Sequence, residues 1–103
     1  MKNIGNLQKM MKTAKEMQEK LQKEMAEMRV DGNSGGGMVT VTVDGMKNII
    51  ALKIDPEVVN KDDVEMLQDL IIAAFNDATS KVDEQMSEKM GGLGAALKIP
   101  GLF

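Results

Sequence analysis

Between Met1 and Met28, apolar residues recur at Ile4, Leu7, Met10, Met11, Ala14, Met17, Leu21, Met25 and Met28. Steps of three and four draw one apolar stripe along roughly seven turns of a helix with about 3.6 residues per turn. Such a helix cannot satisfy its own seam, and the remainder of a 103-residue chain is too short to cover all of it. The chain therefore reads as half of an assembly, with Leu7, Met10, Ala14, Met17 and Leu21 as a dimer or core seam.

The rest of the composition closes off chemistry. Cysteine and histidine are both absent. That removes disulfides, thiolate chemistry, the usual zinc ligand sets and the side chain most used for proton transfer near neutral pH. No apolar run approaches the roughly 20 residues that span a bilayer, and the N-terminus turns polar too quickly for a signal peptide. The expectation is a cytoplasmic protein with no membrane partner, no cofactor, no metal and no small-molecule substrate.

A net charge of −3 hides a gradient. Residues 1–15 carry Lys2, Lys9, Lys12 and Lys15 and no acid, whereas residues 55–90 carry ten acids against Lys61, Lys81 and Lys89. The asymmetry says more about partners than the total does.

Along the chain, the first helix is expected to end near Met28–Arg29. Val30 starts a short extended piece, and Gly32–Gly37 reads as a flexible turn. Met38–Val43 alternates strictly with β-branched residues, the pattern of a half-buried strand. Asp44-Gly45 is a two-residue hairpin signal, and Lys47–Ile54 is the returning strand with Ile50, Leu52 and Ile54 on one face. Asp55 and Pro56 suit the N-cap and first position of a short helical turn. Asp62 with Glu65 makes a capping box for a second long helix. Its stripe runs through Val64, Leu67, Ile71, Ala74, Phe75, Ala78 and Val82, with Ile71 and Phe75 in the core or dimer seam. Gly91–Gly94 should end that helix. The fold expected is α+β, in the order helix, three-stranded antiparallel sheet, helix. Residues 1–90 form the domain, and residues 91–103 a flexible tail in which Leu97, Ile99, Leu102 and Phe103 could dock.

Few motifs carry chemistry. Gly35–Gly37 precedes a strand and is followed by no phosphate-binding Lys, so it reads as a mobile loop, not a phosphate cradle. Asp55–Glu65 lacks the alternating oxygen ligands and sixth-position Gly of a calcium loop, with Val59 and Asn60 in those places. No carboxylate pair is marked out for acid–base work, so an enzyme has little support. Methionine is the oddity at 11 residues, beside only two aromatics, Phe75 and Phe103. Met at helical spacing fills adaptable interfaces.

On a helical wheel Lys9, Lys12, Lys20 and Lys23 fall opposite the methionine seam, and Lys2 projects the same way. A solvated face laced with i,i+4 pairs explains the second half, through Glu16–Lys20 and Glu19–Lys23. It explains the first half less well, because Lys2 and Lys9 have no acid four residues away. A basic arm tip in an acidic protein suits phosphate contact without base reading. The competing reading is a protein-interaction adaptor that uses the Met-rich seam and the hydrophobic tail.

Several segments together resemble the YbaB/EbfC family of small bacterial nucleoid-associated proteins. They are Gly32-Asn33-Ser34-Gly35-Gly36-Gly37-Met38-Val39, Asp44-Gly45, Ile54-Asp55-Pro56, Asp69-Leu70 and Ala73-Ala74-Phe75-Asn76-Asp77-Ala78, with the opening Lys/Met/Gln helix and the tail near Ile99-Pro100-Gly101. The resemblance runs nearly the whole length in order. It implies a homodimer whose sheets and buried helices form a central body, with long helices projecting like tweezers, bound to DNA in the nucleoid. DNA contact carries over onto Lys2, Lys9, Lys12, Lys15, Lys20 and Lys23, and weakly onto Lys81 and Lys89. The chain departs from the pattern at Asp83, Glu84 and Glu88, which make the end of the second helix acidic.

Overall fold

The computed structural model describes residues 2–97, with side chains described from Gly5 to Lys89. Helix α1 spans Lys2–Glu27, strands β1, β2 and β3 span Val30–Ser34, Val39–Val43 and Ile49–Ile54, and helix α2 spans Val64–Leu97. Short 3-10 turns lie at Gly35–Gly37 and Pro56–Val58. The strands form one antiparallel sheet in the order β1-β2-β3, so the α+β arrangement expected from the sequence is the one observed.

The core lies between the sheet and α2. Alternation in β2 sends Val39, Val41 and Val43 to the helix side, where each is 0 % exposed. Against them α2 lays Ala74, Ala78 and Val82 at helical spacing. A valine fully removed from water contributes about 1.5–3 kcal/mol, so this small cluster carries much of the protomer's stability. Ile71 and Phe75 lie partly buried at its edge.

The backbone approaches closely at Gly32. A Cβ there would overlap the Ala74 carbonyl and the Ala78 amide and lie 2.6 Å from the Ala78 Cα. Glycine at Gly32 and alanine at Ala74 and Ala78 therefore let helix and strand meet. This corrects the expected turn: Gly32, Asn33 and Ser34 are strand residues, and the turn itself is Gly35–Gly37, all three at positive φ.

The β2–β3 connection also differs from expectation. Asp44-Gly45 forms no two-residue turn. The loop runs from Asp44 to Asn48, its left-handed residue is Lys47 with φ 68, and the returning strand starts at Ile49. The buried Asp44 carboxylate accepts the amides of Met46 and Asn48 at 2.9 Å and the Asn48 side-chain amide at 3.1 Å. An Asx-type side-chain cap thus displaces the tight turn. Leu52 and Ile54 pair with Val41 and Val39 and share their face, but the register shifts beside Val43 and leaves Ile50 without a partner.

Asp55 caps the Pro56 turn as expected, accepting the Glu57 amide at 2.9 Å. At the start of α2 the cap is Asp63, which accepts the Met66 amide at 3.1 Å. Asp62 does not cap; its own amide is held by the Asn60 side chain. The α2 backbone continues through Gly91, Gly92 and Gly94 to Leu97. The docking considered for Ile99, Leu102 and Phe103 lies outside the described residues, as do the side chains of Leu97 and Lys2.

Candidate nucleic-acid interface

Helix α1 leaves the body as an arm, in a molecule measuring 73 × 27 × 16 Å. Every residue from Gly5 to Glu24 is exposed, on the seam side as much as on the lysine side. Met10 and Met17 are each 67 % exposed. The intrachain packing of α1 begins only at Met25 and Met28.

That root is well built. The Gly45 amide donates to the Met25 carbonyl at 2.8 Å. A Cβ on Gly45 would sit 2.8 Å from Met28 Sδ and 3.0 Å from Met25 Cα, so glycine permits the contact. Arg29 Nη1 donates to the carbonyls of Ala26 at 2.8 Å and Met28 at 2.7 Å. A cation there closes the final turn and suits the negative end of the helix dipole. The Asn48 amide, more than any other cause, holds the Asp44 carboxyl below its usual range, and the Arg29 charge adds to this. An ionised Asp44 therefore shapes the loop on which α1 stands. Sequence reasoning saw a turn at Asp44-Gly45 but missed its role as a socket; a glycine following a turn former gave the only signal.

Up the arm, Lys9, Lys12, Lys20 and Lys23 lie along one exposed face, and Lys15 flanks it. Lys9 to Lys23 spans roughly 21 Å at about 1.5 Å per residue. Among the described residues the ion pairs are Lys47–Asp83 at 2.9 Å and Lys81–Asp77 at 3.1 Å. Glu16–Lys20 and Glu19–Lys23 are not joined, so the expected lacing is absent and the described lysines of α1 keep their charge free. Beside them, an open groove runs along Ala14, Met17, Gln18 and Leu21, edged by Lys20 and Glu24.

The other two cations differ. Lys81 Nζ reaches the Asp77 carboxylate and donates to the Asp31 carbonyl at 3.2 Å. Asp77 accepts the Asn33 amide at 2.9 Å, and that bond, followed by Lys81, lowers its pKa. Lys81 thus staples α2 to β1. Lys89 is exposed beside Glu88. Among the described residues no cluster of three or more acids is placed to hold a metal ion, and no helix is long and apolar enough to cross a membrane.

Comparison with known proteins adds an independent line. The model of the YbaB/EbfC DNA-binding family matches residues 1–97. A protein of Geobacillus kaustophilus called nucleoid-associated is 54 % identical over 103 residues, covering 97 % of this chain and 95 % of its own. One of Exiguobacterium sibiricum with the same designation is 49 % identical over 106 residues and covers both chains fully. The crystal structure of an uncharacterized protein from Helicobacter pylori superposes with a TM-score of 0.69 at 25 % identity, over 84 % of this chain and 91 % of that one.

Proposed function

The chain belongs to the YbaB/EbfC DNA-binding family, and from that premise we propose that it acts as a nucleoid-associated homodimer that grips the DNA phosphate backbone with the lysines of α1. One observation carries the phosphate reading. Lys9, Lys12, Lys20 and Lys23 stand on a projecting helix and pair with no acid among the described residues, in a protein whose remaining residues are net acidic. Duplex DNA presents one charge per roughly 3.4 Å along each strand. A cationic stripe of about 21 Å can therefore meet several phosphates while reading no base. Lys15 flanks the stripe, Lys81 is committed to its staple, and Lys89 stands among acids.

The homodimer rests on α1 as well. Isolated helices of this size are marginal in water and are held in proteins by packing of an apolar face. Here Leu7, Met10, Ala14, Met17 and Leu21 are all exposed in the protomer. The same exposure favours the second reading, an adaptor that holds a partner protein on this seam. Salt separates the two. Fluorescence anisotropy with duplex DNA at increasing salt should give a log–log slope near −0.9 for each phosphate neutralised. A slope near zero, or no binding at low salt, would favour the adaptor.

A further inference from the structure

The two long helices leave the body at the same end. Gly45 holds Met25 at the root of α1, and Lys47 of the same loop pairs with Asp83 of α2. At about 1.5 Å per residue, α2 has about 29 Å on the body side of Asp83, and α1 is about 39 Å long. The molecule is 73 Å long but only 27 Å across, less than the length of α1. Both helices therefore lie near the long axis, and that length is reached only if α1 continues outward from the level of Asp83. The exposure of every residue from Gly5 to Glu24 agrees, since an α1 folded back along the body would be covered. The end of α2 runs out beside it for about 21 Å, from Asp83 to Leu97. Leu97 thus stands level with the stretch of α1 between Met10 and Ala14.

One arm supplies an apolar groove and the other leads into an apolar segment. The groove on α1 is open, with Met17 67 % and Leu21 49 % exposed beside Ala14. The segment is Lys98–Phe103, which carries Ile99, Leu102 and Phe103 and follows directly on α2. From Met90 to Phe103 the only charged side chain is Lys98, in a chain of which 28 % is charged. Pro100-Gly101 suits the two centres of a tight turn, which brings Ile99 and Leu102 within about 7 Å of each other. Extended, residues 98–103 reach about 20 Å, enough to cross to α1 inside a molecule 27 Å wide. Gly91, Gly92 and Gly94 lie in the last turns of α2, and glycines let a helix bend at little cost.

We propose that Ile99, Leu102 and Phe103 dock in the Ala14–Leu21 groove of their own chain, closing the end of α2 onto α1 as a clasp. Reach selects this occupant: a segment tethered so near has an effective concentration of about millimolar, which a free partner protein must exceed. The clasp covers the root half of the seam and leaves Leu7 and Met10 to the second copy of the homodimer reading. It also leaves Lys9, Lys12 and Lys23 uncovered, because they lie on the opposite face. It therefore stiffens the arm proposed to contact DNA without masking its charge. The adaptor reading loses its surface, since the seam and the tail occupy one another.

Cross-linking tests the clasp in the full chain, which has no cysteine. Gln18→Cys with Gly101→Cys joins groove to segment, whereas Glu16→Cys with Gly101→Cys presents the opposite face of α1 at nearly the same height. With a short bis-maleimide the Gln18 pair should react several times faster than the Glu16 pair, and its product should keep a mass of 11.2 kDa on denaturing gels. Equal rates would mean an undocked tail, and a product of twice that mass would put the tail on a second copy; either result overturns the proposal. Amide exchange supplies a measurement free of cross-linker. The core between α2 and the sheet is built from residues 28 to 86, so Ile99→Asp with Phe103→Asp should keep the fold. That variant should exchange the amides of Ala14–Leu21 several times faster than the wild type, and unchanged exchange there would contradict the clasp. Neither measurement involves DNA, so failure of the clasp is distinguishable from failure of the phosphate reading.

Discussion

Two residues carry more of the architecture than their size suggests. Gly32 lies against the α2 backbone, so Gly32→Ala forces strand and helix apart. Overpacking of this kind costs about 1–3 kcal/mol, and here the obstacle is backbone that no rotamer change relieves. Urea unfolding should show a loss of about 2 kcal/mol or more, or failure to fold. Asp44 is the second. Its carboxyl is held below the ordinary value, chiefly by the Asn48 amide, so the ionised form is favoured by folding. A depressed native pKa contributes stability above the unfolded pKa, about 3.9, and that contribution fades as pH falls through the native value. Asp77 behaves alike through the Asn33 amide and Lys81. Thermal melts from about pH 5 down to about pH 2 should therefore show an acid-side decline that is shallower in Asp44→Asn. An unchanged acid limb would remove Asp44 from the account. Neither role was legible in advance. Gly32 read as loop because glycine between polar residues looks like a turn until a helix is known to press on it.

Among the elements, periodicity succeeded where burial is one-sided. The valines of β2 and the Ala74, Ala78, Val82 stripe are in the places that alternation and helical spacing give them, because each faces a single core. Local hydrogen bonding was harder to read. Adjacent aspartates at Asp62 and Asp63 both suit an N-cap, and the choice falls to Asp63 because Asn60 already holds the Asp62 amide. Asp63→Ala should cost about 1 kcal/mol of stability in chemical denaturation, and Asp62→Ala much less; the reverse order would contradict the cap. The exposed Leu52 on β3 was equally illegible, since an apolar strand face reads as buried whichever chain covers it.

For the whole molecule, function follows from how charge is distributed over projecting parts. The cations proposed to contact DNA stand on α1, whereas Asp83, Glu84 and Glu88 line the α2 segment that leaves the body beside the same loop, as the Lys47–Asp83 pair shows. Charges within a Debye length of about 10 Å at about 0.1 M salt still act on one another. Neutralising Asp83, Glu84 and Glu88 to Asn and Gln should tighten DNA binding at low salt, with the gain shrinking as salt rises; no gain at low salt would mean these acids lie out of range of the DNA. The arm itself was legible as a periodic helix with an opposed lysine face, but its freedom from ion pairs was not, because i,i+4 spacing permits pairs that the side chains do not make. The central claim is that α1 lysines contact phosphate, and the most direct measurement of it is the salt dependence of DNA affinity for Lys9→Glu with Lys12→Glu. Both side chains point away from the apolar seam, so the double variant should remain dimeric by light scattering. It should bind DNA far more weakly, with a salt slope flatter by about 0.9 for each phosphate that is no longer neutralised. Undiminished affinity and an unchanged slope in a confirmed dimer would show the lysine face to be merely solvated, and would contradict the account.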